Sequence, residues 1–82
     1  MTAWAASGRL RWRCRRGMKE LDVVLERWLE AGCPGADESS LPALERLLDA
    51  PDPELAGWLL GPGRPADPAL RAIVDAILAV RR

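Results

Sequence analysis

The sequence predicts an all-α fold, a compact single-domain bundle of five helices over residues 1–82, and three observations predict it. Apolar residues recur at spacings of three and four along most of the chain, the period of a helix with one buried face. Two Asp-Pro pairs, Asp52-Pro53 and Asp67-Pro68, stand where such stripes begin. Each reads as a cap followed by a proline that has no N–H to lose. Short Gly/Pro loops join the stripes, which implies neighbouring helices packed side by side. At 82 residues and 49% hydrophobic content the chain holds enough apolar material for one core.

Residues 1–8 are expected to form a flexible N-terminus. A first short helix is expected over residues 9–16, with Leu10 and Cys14 four apart and Trp12 on another side. Gly17 then loosens the backbone, which suits a kink or a change of helix axis. The second helix, over residues 18–31, has Met18, Leu21, Leu25, Trp28 and Leu29 on one stripe and stops at Gly32. "GCPGADESS" is a loop of turn formers. Ser39 or Ser40 is expected to cap the third helix, with Pro42 in its first turn and Leu41, Leu44, Leu47 and Leu48 facing inward. "DAPDPEL" ends it. Asp52 is expected to cap the fourth helix, with Glu54 near the positive end of the dipole and Leu55, Trp58 and Leu59 inside. After "GPGRPA", Asp67 caps the fifth, where Leu70, Ile73, Val74, Ile77 and Leu78 give the clearest amphipathic pattern.

Composition excludes several function classes. Histidine is absent, and Ser7, Ser39 and Ser40 have no base beside them. The two cysteines, Cys14 and Cys33, form no C-x-x-C pair and no disulfide framework, so a structural zinc site is not expected and a reducing compartment is. Cationic neighbours would lower the Cys14 thiol pKa, yet its place on the Leu10 stripe reads as a small buried hydrophobe. No enzyme and no metal site are read here. No apolar run approaches the length of a membrane span. Residues 1–19 carry six cations and no acid, while residues 20–82 carry six cations and all twelve acids, a net of minus six. The basic arm resembles a transit peptide or a nucleic-acid footprint, but it runs straight into the structural segment that follows. The acidic body would repel phosphate, and Phe and Tyr are absent, so nucleic acid is not the expected partner. Trp28 and Trp58 read as core; Trp4 and Trp12 are free to anchor a partner.

The stretch "CRRGMKELD", residues 14–22, is less easily placed. On a helical wheel at about 100° per residue, Leu21, Leu25 and Trp28 mark the inside. Lys19, Asp22, Glu26 and Glu30 cover one outer flank, and Arg16, Glu20, Val23 and Arg27 cover the other. If the helix continues through Gly17, Arg16 and Glu20 share an outer face. They are then either a helix-start ion pair worth a few tenths of a kcal/mol or a contact patch whose glycine lets another backbone approach. Val23 on that flank adds nothing to stability if exposed.

Three blocks, "RRGMKELD", "LLDAPDPELAGWL" and "GRPADPAL", resemble the small FAD assembly factors of succinate dehydrogenase, the SdhE/YgfY-type family related to the mitochondrial flavinylation factor. The likeness runs from about Arg9 to Val80. It implies a five-helix domain that is not itself an enzyme. Such a factor binds the flavoprotein subunit of succinate dehydrogenase, or in some bacteria of fumarate reductase, and promotes covalent attachment of FAD to a histidine there. The family's Arg-Gly-x-x-Glu motif falls on Arg16, Gly17 and Glu20 and implies a partner interface. Asp22 and the Asp52 region belong to the shared pattern, and Val23 and Arg27 join the interface from the wheel. No Gly-rich phosphate loop is present, so FAD is expected to belong to the partner rather than to be held tightly here. A bacterial cytoplasmic protein, monomeric when free, follows from the same likeness. The alternative from another class is an antitoxin-type interaction module, since some members have been described so.

Overall fold

The structure, a computed structural model, describes residues 12–81. Helix α1 spans Lys19–Glu30, a 3-10 turn spans Glu38–Ser40, α2 spans Leu41–Leu48, α3 spans Asp52–Leu59 and α4 spans Pro68–Arg81. Among the described residues there is no strand, so the all-helical expectation holds, with four such helices rather than five. Most of the expected first helix, with Leu10, lies outside the described residues, as do Trp4 and the 1–8 segment. Its described part ends early. Trp12 and Arg13 are helical, Cys14 is in a turn, and residues 15–18 are not helical. The Arg15 N–H closes that turn on the Trp12 carbonyl at 3.1 Å, and Gly17 takes φ +86°, which ends any helical path.

Helix α4 packs against α1, α2 and α3, and α1 also packs on α3. The sides that meet are the stripes read from the sequence. Leu21, Leu25, Trp28 and Leu29 of α1, Leu44, Leu47 and Leu48 of α2, Leu55 and Leu59 of α3, and Ile73, Val74, Ile77 and Leu78 of α4 are buried in one core. Val24 completes the α1 face, and Cys14 and Cys33 fill gaps at its edge. Met18, Leu41, Trp58 and Leu70 are half-buried at the rim. The radius of gyration is 11.3 Å, which matches a packed chain of this length, about 11 Å.

Specific devices close several of the helix ends. Helix α1 closes in a Schellman motif: Gly32 N–H donates to Leu29 O and Cys33 N–H to Trp28 O, both at 3.0 Å, with Gly32 at φ +85°. The Trp28 indole Nε1–H, although buried, finds the Pro34 carbonyl at 3.0 Å. Ser40 holds the N-cap position of α2, one of the two expected, but its side chain makes no capping hydrogen bond there; the side-chain cap lies one turn earlier, where Asp37 caps the 3-10 turn. The Asp37 carboxylate accepts the Ser39 N–H at 2.9 Å, and the Ser40 hydroxyl accepts the Asp37 N–H at 3.3 Å. A hydrogen bond from the Ser39 hydroxyl, with the backbone N–H groups behind it, holds the Asp37 carboxyl below its ordinary value. Asp67 caps α4 as expected, accepting the Ala69 N–H at 2.8 Å. Asp52 does not cap α3: the helix starts one residue earlier than expected, with Pro51 as the extended flanking residue and Asp52 already inside the helix.

Candidate functional site

The segment from Trp12 to Met18 folds back over the junction between α2 and α3, and Arg16 fastens it there. The last carbonyls of a helix lack intrahelical donors and carry the negative end of its dipole. Arg16 supplies those donors. Its Nη1 donates to Leu48 O at 2.7 Å and to Arg13 O at 3.4 Å, and its Nη2 donates to Ala50 O at 2.9 Å. Its Nε donates to the Asp52 carboxylate at 2.8 Å, in the first turn of α3. The Arg16 side chain is 18% exposed, so these bonds form in a partly dry site. Arg13 reinforces the same corner through an ion pair with Asp49. The Arg16 backbone N–H donates to Asp22 Oδ1 at 2.7 Å, tying the segment to α1 as well.

The expectation that Arg16 and Glu20 share a helical face is therefore corrected. The wheel assumed helix through Gly17; the chain enters α1 only at Lys19, with Met18 as its extended N-cap. Arg16 turns inward to Asp52. Glu20 stays exposed and enters none of the ion pairs formed among the described residues.

Gly17 holds its left-handed φ in the open. A Cβ built there would meet no atom within 4 Å. The glycine is thus required by backbone conformation, and its surroundings leave room for an approaching chain. Val23 is exposed at 40% of its surface, as the wheel expects, and Arg27 is exposed one turn further along α1. The seven residues singled out from sequence thus separate into two groups. Arg16, Asp22 and Asp52 form an internal tie, while Gly17, Glu20, Val23 and Arg27 lie on the surface that the tie shapes.

A groove of about 620 Å³ opens beside Gly17, lined by Trp12, Cys14, Arg15, Asp22, Glu26 and Leu29. Trp12, 76% exposed, is the most exposed large apolar side chain among the described residues. Sequence reasoning left Arg15, Glu26 and this groove unassigned. The wheel put Asp22 and Glu26 on an outer flank and Leu29 on the inner stripe, and nothing local showed that Trp12 would line one groove with them.

A family model described as the flavinator of succinate dehydrogenase matches residues 8–81. The chain belongs to the succinate dehydrogenase flavinator family. Proteins named FAD assembly factor SdhE are its relatives. The one from Methylococcus capsulatus is 48% identical over 73 residues, covering 89% of this chain and 88% of its own. Those from Coxiella burnetii and Vibrio cholerae are each 42% identical, over 88% and 87% of this chain and 88% and 83% of their own. No solved structure matches the chain. In this chain the Arg-Gly-x-x-Glu block is not one helical stripe. Residues 16–18 form a non-helical turn held by Arg16, and Lys19 and Glu20 are the first residues of α1.

Proposed function

We propose that this chain binds the flavoprotein subunit of succinate dehydrogenase and promotes covalent attachment of FAD to it, acting as an assembly factor in the bacterial cytoplasm. The observation that carries the reading, beyond family membership, is the Gly17 turn. It offers exposed backbone and a carboxylate, Glu20, that forms no ion pair among the described residues, on a frame held by the Arg16–Asp52 tie. Gly17 and Glu20 contact the partner, with Val23 and Arg27 beside them on α1. Arg16, Asp22 and Asp52 serve the same interface by fixing its shape. The factor supplies no reacting group: it favours a flavoprotein conformation in which the partner's own histidine meets the flavin, and FAD stays with the partner. A fumarate reductase flavoprotein is a second client of the same surface.

The test is co-expression of each flavoprotein subunit with this chain in cells lacking a native factor, followed by FAD fluorescence of the denatured subunit. Wild-type chain should restore covalent flavin. Glu20→Ala and Val23→Asp should reduce it several-fold while melting within about 1–2 °C of wild type, since surface substitutions move stability little. Full flavinylation with both variants would remove this surface from the mechanism. Recovery of a cytoskeletal protein and no flavoprotein from cell extract would favour the antitoxin-type reading instead.

A further inference from the structure

We infer that the groove beside Gly17 receives a cationic side chain, arginine or lysine, from the flavoprotein partner. The inference rests on the flavoprotein-binding reading and gives the chemistry of one contact within it.

The residues that line the groove point to one occupant. On α1, Asp22 and Glu26 are one turn apart and Leu29 follows three residues later, so a strip runs from carboxylate to carboxylate to apolar surface. Trp12 lies on the same lining, with three quarters of its surface exposed. An indole face attracts a cation placed within about 6 Å of it, and guanidinium groups stack on it well. Leu29 and Cys14, both buried in the core, give the groove an apolar base against which the methylene stem of an arginine or lysine packs. Gly17 lies on the same lining and leaves its backbone uncovered.

The charges exclude other occupants. Among the described residues of the lining, Asp22 and Glu26 stand against one cation, Arg15, so an anion entering the groove meets two carboxylates there. Asp22 already accepts the Arg16 N–H through Oδ1. Glu26 is exposed and belongs to none of the ion pairs among the described residues. An apolar occupant would cover that carboxylate without pairing it, which costs more than leaving the groove to water. A cation pairs with Glu26, feels Asp22 and stacks on Trp12.

The experiment is titration of full-length chain against the flavoprotein subunit, with Trp12→Ala, Glu26→Gln and Glu26→Lys compared with wild type at several salt concentrations. The expected result is a Kd at least tenfold weaker for Trp12→Ala and weaker still for Glu26→Lys. Binding by Glu26→Gln should fall less steeply with salt than wild type, because one exposed charge pair has gone. All three should melt as wild type does, since both side chains are exposed. Variants that bind within twofold of a wild type that does bind would overturn the groove and leave the flavoprotein reading standing. Tighter binding by Glu26→Lys, the result expected if this chain's own basic N-terminal stretch filled the groove, would overturn it too. A wild-type chain that fails to bind the flavoprotein would remove both readings together.

Discussion

The dipeptide Asp-Pro begins both α3 and α4, and the two copies do different things. At α4, Asp67 stands outside the helix and accepts the Ala69 N–H, with an exposed pair to Arg46 beside it. At α3, Asp52 is the first helical residue, and its carboxylate goes 36 residues back along the chain to Arg16. One carboxylate serves its own helix; the other is spent on a distant loop. The difference lies in what arrives from elsewhere. A guanidinium that must satisfy the Leu48 and Ala50 carbonyls is already within reach of Asp52, and a charge-assisted bond to it outweighs a local cap. The α3 corner therefore supports the candidate interface, and the α4 corner supports only the fold.

Breaking the first corner should have the largest effect. Arg16→Ala strands the carbonyls of Leu48 and Ala50 together with the Asp52 carboxylate. The loss should be about 2–3 kcal/mol, a fall in Tm of roughly 10–20 °C for a domain of this size, with flavinylation falling alongside. Arg46→Ala at the other corner removes only an exposed pair, and its melting curve should lie close to wild type. Similar curves for the two variants would erase the distinction.

Asp52→Asn and Asp67→Asn sharpen it. Asparagine caps a helix about as well as aspartate, so the Asp67 variant should keep most of its local role. Asp52→Asn loses a charged partner for Arg16 and should cost about 1–2 kcal/mol. Urea unfolding of both gives the order directly.

Gly17→Asn separates conformation from access. Asparagine tolerates a left-handed φ better than other side chains, and open space surrounds the position. The fold should lose about 1 kcal/mol or less, while a partner backbone that needs the bare glycine should no longer seat. Normal flavinylation with this variant would mean that Gly17 serves the turn alone.

The smallest effect is set by pH. The hydrogen bond from Arg46, with the Ala69 N–H behind it, holds the Asp67 carboxyl below its ordinary value of 3.8. Its contribution is whole above that value and is lost as pH falls through the lower folded-state value. Asp67→Asn should therefore remove a small part of the drop in Tm below about pH 4 and leave Tm at pH 7 nearly unchanged.

The parts legible in the sequence are those with a local period. The stripes of α1, α2, α3 and α4 fall where the spacing puts them, because burying one face of a helix needs no knowledge of what covers it. The α1 stripe as read passes over Val24, which lies three residues from Leu21 and four from Trp28 and completes the same face. Caps are less legible. Ser40 stands at the start of α2 as read, but the capping bonds belong to the 3-10 turn before it, where the reading passes over Asp37; and the Asp52 carboxylate goes to an arginine that no local window contains. The candidate site combines both cases. Period alone places Val23 and Arg27 outward, and Gly17 reads as an interruption. The inward turn of Arg16 depends on carbonyls 32 and 34 residues away, and a wheel drawn through Gly17 could not show it.

The Arg16 tie has a consequence for timing. A peptide of residues 12–30 would carry every letter of the motif and none of its shape, because the atoms that hold Arg16 belong to residues 48, 50 and 52. Contacts of that sequence separation form only when distant parts of the chain have met. An incompletely folded copy therefore lacks the ordered turn. The shape of the candidate surface is thus a certificate of finished folding, issued by one arginine.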